Sequence, residues 1–96
     1  MTLEGLVSKY IKTAESVFKE IAISSAVSSI DKEKVEDVIK HAKRYLEDAK
    51  YYQKKNRLET SLATVSYCEG LLDALQMLGV AKFSWPARKR KGKRLS

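Results

Sequence analysis

Apolar side chains recur every three or four residues along most of the chain, in three tracts separated by polar breaks. The first tract is Leu3, Leu6, Val7, Tyr10, Ile11, Ala14, Val17, Phe18 and Ile21, the spacing of one stripe on an amphipathic helix. Lys9, Lys12, Glu15, Lys19 and Glu20 fall on the opposite side. Because that polar side mixes both signs, it reads as a solvated face of a globule rather than a helix lying on a membrane. Glu15 and Lys19 are spaced as an intrahelical pair, worth about 0.3 kcal/mol.

Between Ser24 and Ser29 four Ser interrupt the pattern, and Ser competes with helical backbone bonds while capping helix starts well. A turn is expected there, with Ser28, Ser29 or Asp31 as the cap of a second helix. Asp31, Glu33, Glu36 and Asp37 would then meet the positive end of its dipole. The second tract, Val35, Val38, Ile39, Ala42, Tyr45, Leu46, Ala49 and Tyr52, predicts a helix roughly 35 Å long. Lys50, Lys54, Lys55 and Arg57 suit its C-terminal end, and Asn56 can take the left-handed conformation that stops it. So short a connection makes the second and third helices antiparallel neighbours.

The third tract, Leu58 to Gly79, is different in kind. Leu58, Leu62, Val65, Cys68, Leu72 and Leu75 form a broad apolar face that continues through Leu71 and Leu78 to Tyr67. Beside it runs a stripe of small residues, Ala63, Ser66, Gly70 and Ala74, and only a narrow polar strip remains at Glu69, Asp73 and Gln76. Gly70 inside a helix predicts the close approach of another backbone. One neighbour cannot cover so much apolar surface. Gly70, Leu71, Ala74 and Leu78 are therefore expected to pack against a returning C-terminal arm or a second copy of the chain. Gly79 is the natural stop, and Val80, Phe83 and Trp85 before Pro86 predict a short extended arm folding back on the bundle.

The fold expected is all-α: an antiparallel three-helix bundle with a short extended C-terminal arm, residues 1–87, followed by a basic tail, residues 88–96. Ninety-six residues hold one small core, and four Gly and one Pro suit helices better than a turn-rich sandwich. The single Cys68 forms no internal disulfide, and no run approaches the ~20 apolar residues of a membrane span. A cytoplasmic, unexported protein is expected.

The net charge of +7 changes the picture less than it first promises, since Arg88, Lys89, Arg90, Lys91, Lys93 and Arg94 supply six of those charges. Of the nineteen Lys and Arg, thirteen remain for residues 1–87, against twelve Asp and Glu. An electrostatic partner is therefore addressed by the tail. Closely spaced cations neutralise phosphates and release counterions with little base readout. Trp85 and Phe83 just upstream are placed to stack on unpaired bases, which favours RNA among nucleic acids.

His41, Tyr45, Asp48 and Tyr52 lie along one flank of the second helix, and Glu69 and Asp73 lie along one edge of the third. Facing each other, they would form a polar seam able to take a metal or a small cation. The plainer reading is an interhelical hydrogen-bond network, because the paired Glu-x-x-His pattern of bundle metal sites is absent. Cys68 sits within an apolar face far in sequence from the only His, and there is no phosphate-binding Gly-rich loop and no Cys pair for zinc. No enzyme activity, cofactor or metal is expected.

The stretches YLEDAKYY, Tyr45 to Tyr52, and YCEGLLDALQMLG, Tyr67 to Gly79, resemble the archaeal domain-of-unknown-function family 357. Members of that family are similar in carrying a "YLxDAKYF" helix followed by a "YxxGWLDAxxRLG" helix. The matching residues are Tyr45, Leu46, Asp48, Ala49, Lys50 and Tyr51, then Tyr67, Gly70, Leu72, Asp73, Ala74, Leu78 and Gly79. The chain departs from the family at Lys55 and Asn56, where a Gly-Asp turn is usual, and at Leu71, where an aromatic is expected. The resemblance implies an archaeal origin and a small helical bundle, and transfers no activity. Helical hairpins of this sort are also similar to prokaryotic nucleotide-binding helical RNases, but their Arg-x4-6-His signature is missing, since no Arg precedes His41.

The function expected is that of a non-enzymatic binding protein that self-associates through its third helix, as a dimer, and contacts RNA through its tail. The alternative is a protein-interaction or scaffold module whose tail is incidental. A small-ligand or metal-binding bundle is the third reading.

Overall fold

The computed structural model of the chain describes residues 1–86, the side chain of Ile30 excepted. Three helices pack against one another: α1 (Leu3–Glu20), α2 (Ser29–Lys54) and α3 (Leu58–Met77). Two short strands, β1 (Ala22–Ile23) and β2 (Ala81–Lys82), pair antiparallel, with Ala22 opposite Lys82 and Ile23 opposite Ala81. The sequence predicts the all-α bundle and the arm; the arm's strand partner, β1, is an addition.

Local chemistry fixes the helix ends. The Gly5 N–H donates to Thr2 Oγ1 at 3.0 Å and the Asp31 N–H to Ser28 Oγ at 3.3 Å, so Thr2 and Ser28 cap α1 and α2. The other two boundaries share a device. Asn56 has φ 59° and Gly79 has φ 76°, and the N–H beyond each closes back over it, Arg57 to the Tyr52 carbonyl and Val80 to the Leu75 carbonyl. Such wraps satisfy carbonyls that a helix end leaves open.

The main core joins Val7, Ile11, Ala14 and Val17 of α1, Ala42, Leu46 and Ala49 of α2, and Val65, Cys68 and Leu72 of α3. Each fully buried Leu or Val contributes roughly 1.5–3 kcal/mol through its apolar area. Helices α2 and α3 approach closely at Ser61. Buried Ser61 donates from Oγ to the Ala49 carbonyl at 2.7 Å, a bond that a larger side chain would not leave room for. Glu15, spaced to pair with Lys19, instead reaches Lys50 on α2 at 2.8 Å, because the bundle brings a cation from another helix closer. The Glu15 carboxylate holds the Lys50 ammonium above the usual lysine value, by hydrogen bond and by charge.

The arm returns along one edge of α3. Gln76 Nε2 donates to the Phe83 carbonyl at 2.8 Å, the Ser84 N–H donates to Glu20 Oε2 at 3.0 Å, and the Ser24 N–H donates to the Val80 carbonyl at 2.9 Å. Trp85 is only 8% exposed, belongs to the main core and meets Phe83 edge-on at 5.2 Å. This corrects the expectation that Trp85 stacks on bases: the residue is already buried in the core, so stacking would require undocking the arm. Ring burial of this kind stabilises strongly.

Trp85→Ala should therefore destabilise the protein by about 3 kcal/mol in urea unfolding. As the only Trp, Trp85 in the wild type should emit blue-shifted fluorescence that is lost together with helical circular dichroism. A cost below about 1 kcal/mol, or a red emission maximum in the native state, would contradict its place in the core.

Candidate functional site

Helix α3 turns one edge, Ser61, Val65, Cys68, Leu72 and Leu75, into the core. Its surplus apolar surface is covered only in part. The arm takes the edge that carries Gln76, and the side bearing Ala63, Tyr67, Gly70, Ala74, Met77 and Leu78 stays exposed. The large residues there are open by 66% at Tyr67, 84% at Met77 and 74% at Leu78, so this is an apolar face that none of the described residues covers.

Beside that face a groove of about 620 Å³ runs between α2 and α3, lined by Val38, His41 and Tyr45 on one bank and Ala63, Ser66, Tyr67, Gly70 and Leu71 on the other. The Tyr45 and Tyr67 rings stack at 5.5 Å and 22°, forming part of its floor. A second hollow of similar volume, lined by Val27, Val35, Leu75, Leu78 and Val80 and rimmed by Asp31 and Lys34, shares Val38 with the first.

Gly70 requires a correction. A Cβ built on it would meet nothing within 4 Å, so among the described residues no other backbone approaches it. The arm runs along the other edge of α3, and the close contact inferred for Gly70 is not made within the fold. An interior helical Gly costs about 1 kcal/mol relative to Ala, and the monomer gains nothing in return. Leu71 is half-buried against the core, while Ala74 and Leu78 are exposed beside Gly70.

The polar seam is split. His41 and Tyr45 line the groove, with His41 Nδ1 donating to the Asp37 carbonyl of its own helix at 3.0 Å, and Asp48 is exposed. Glu69 and Asp73 instead share the strip of Gln76, which faces the arm. The helical phase of α3 sends its carboxylates to one edge and its groove residues to the other, so the two halves of the seam do not meet. Among the described residues no three His, Cys, Asp or Glu side chains gather to hold a metal ion.

Cys68 is fully buried, and burial, reinforced by the Glu69 carboxylate, pushes its thiol up to about 12. A thiol so held is a weak nucleophile at neutral pH. The basic residues Arg88 to Arg94 lie outside the described residues. Among the described residues no helix is long and apolar enough to cross a membrane. Tyr67 and Met77 belong to the exposed face without having been singled out as site residues, and the signal that finds them is spacing: Ala63, Tyr67, Gly70, Ala74 and Met77 alternate by four and three.

Residues 9–81 match the sequence model of a family described as "Protein of unknown function (DUF357)". No curated protein and no solved structure matches the chain.

Cys68 should resist Ellman's reagent at pH 8 in the native protein and react as the protein unfolds. Because the folded value lies above the unfolded one, this thiol's contribution to stability is full below about pH 8.5 and is lost as pH rises towards about 12. Cys68→Ala should lack that alkaline loss. Rapid stoichiometric labelling at pH 8 without unfolding would contradict the burial.

Proposed function

The chain is a member of the DUF357 family, and from that premise we propose that it is a non-enzymatic cytoplasmic binding protein that self-associates through the outer face of α3 and contacts RNA through its basic tail. One observation carries the first half of this reading: the apolar face from Ala63 to Leu78 that the arm leaves exposed, with Tyr67, Met77 and Leu78 mostly open. Covering that face removes apolar area from water and supplies a use for Gly70, which the monomer lacks.

The second half rests on sequence. Six of the seven excess cations fall between Arg88 and Arg94, a density that suits a phosphate backbone and carries no base selectivity. Because Trp85 is committed to the core, the RNA contact proposed is electrostatic, without an aromatic platform upstream. An interaction module with an incidental tail remains the competing reading, and the salt dependence separates the two.

In sedimentation at tens of micromolar the wild type should run at twice the 10.9 kDa chain mass, and Ala74→Glu, a charge placed on the exposed face, should run as a folded monomer. A wild-type monomer would refute self-association. In RNA titrations, neutralisation of about five phosphates should give a slope of log K against log salt near −4. Binding that survives deletion of residues 88–96, or no binding at low salt, would remove the tail from the function and leave the interaction module.

A further inference from the structure

The turn between α2 and α3 gathers aromatic rings and cations on the surface. From Tyr51 to Arg57 the chain reads YYQKKNR, with three cations, two tyrosines and no carboxylate, and the nearest acids in sequence are Asp48 before it and Glu59 after it. Tyr51, Lys54, Lys55 and Arg57 are all exposed, Tyr51 by 55%. The two rings meet edge-on at 5.3 Å, the Lys55 ammonium lies 5.5 Å from the centre of the Tyr51 ring, and the Arg57 guanidinium lies 5.3 Å from that of Tyr52. Each such contact limits the freedom of a long side chain, so the charges are placed before a ligand arrives.

The dipole of α2 accounts for part of this, because cations suit the negative end of a helix. It does not account for their lack of acidic partners. The neighbouring Lys50 is taken up by Glu15, whereas among the described residues none of Lys54, Lys55 and Arg57 meets a carboxylate in an ion pair. Nor does it account for an open ring among the charges. Cations held beside an open ring match a nucleic-acid strand with unpaired bases, whose phosphates meet the cations while a base stacks on the ring. A carboxylate-rich peptide would use the charges and leave Tyr51 without a role.

Resting on the RNA contact proposed above, we infer that the α2–α3 turn is a second part of that site, taking an unpaired base on Tyr51 and the adjoining phosphates on Lys54, Lys55 and Arg57 once the tail has captured the strand. The course of the arm supports this. Ala81 and Lys82 pair with Ile23 and Ala22, and the Ser84 N–H reaches Glu20, so the arm runs back alongside the end of α1. The start of α1 lies at the turn end of the bundle, where Gln53 Nε2 donates to Ser8 Oγ at 2.9 Å. Glu20 and Ser8 are about 18 Å apart along α1. Residues 87–96 can span at most about 35 Å, so one short strand can engage both tail and turn. Capture by the tail then raises the effective concentration of the strand at the turn.

Fluorescence anisotropy with the full chain tests this, using a labelled oligouridylate of about 12 nucleotides and, as competitors, inorganic polyphosphate and polyglutamate. Tyr51→Ala should weaken oligouridylate binding about tenfold, the loss of one stacked base, and leave competition by polyphosphate unchanged. Tyr51→Phe, which keeps the ring, should match the wild type. Lys55→Gln combined with Arg57→Gln should make the slope of log K against log salt shallower by about 1.4. Wild-type affinity in Tyr51→Ala, equal weakening of oligouridylate and polyphosphate, or a Tyr51→Phe chain as weak as Tyr51→Ala overturns the site at the turn while the tail keeps its RNA contact. Polyglutamate bound more tightly than oligouridylate, with the difference lost in the Lys55→Gln and Arg57→Gln chain, overturns it in favour of an acidic partner. A wild type that binds no oligouridylate at low salt overturns both the turn and the tail.

Discussion

The structure depends on an imbalance in α3. That helix is apolar around most of its circumference, yet a three-helix bundle offers it only two helical neighbours. Everything unusual about the chain answers the surplus in part. Val65, Cys68 and Leu72 fill the space between α1 and α2. The arm then wraps the Gln76 edge, held by the Ser84 N–H donating to the Glu20 carboxylate and by the two-residue pairing of β1 with β2, and delivers Trp85 into the core. Among the described residues, what is left over is the face from Ala63 to Leu78 and the groove beside it.

The same imbalance separates stability from binding. The core residues are buried on three helices and the arm, whereas Gly70, Ala74 and Met77 sit where substitution leaves the core untouched. The proposed RNA contact rests on the basic residues 88–94, which lie outside the described residues. The body itself is almost neutral, so the tail dominates any electrostatic encounter. Self-association through α3 would place two such tails on one particle, raising the effective concentration of the second once the first is engaged.

Much of this was legible in the sequence because it rests on local rules. The three-four spacing located the helices, and Asn56 and Gly79 marked two helix ends through their tolerance of positive φ. Ser28 was among the residues suited to cap α2, and the structure selects it. Tertiary choices were not legible. Glu15 found Lys50 rather than Lys19 because packing, not helical spacing, decided which cation was nearer. Trp85 looked available to bases because nothing local says which side of α3 an arm will take. The seam of His41, Asp48, Glu69 and Asp73 failed for the same reason, since it needed the helical phases of α2 and α3 to agree across the groove.

Self-association, as proposed, uses the outer face of α3 and no other surface of the bundle. Amide and methyl NMR spectra recorded over a dilution series test it most directly. The account predicts concentration-dependent shifts confined to Ala63, Tyr67, Gly70, Ala74, Met77 and the Val38 and Tyr45 bank of the groove, with the outward residues of α1 unchanged. Spectra that do not vary with concentration, or shifts centred on Lys9, Lys12 and Lys19 of α1, would contradict it.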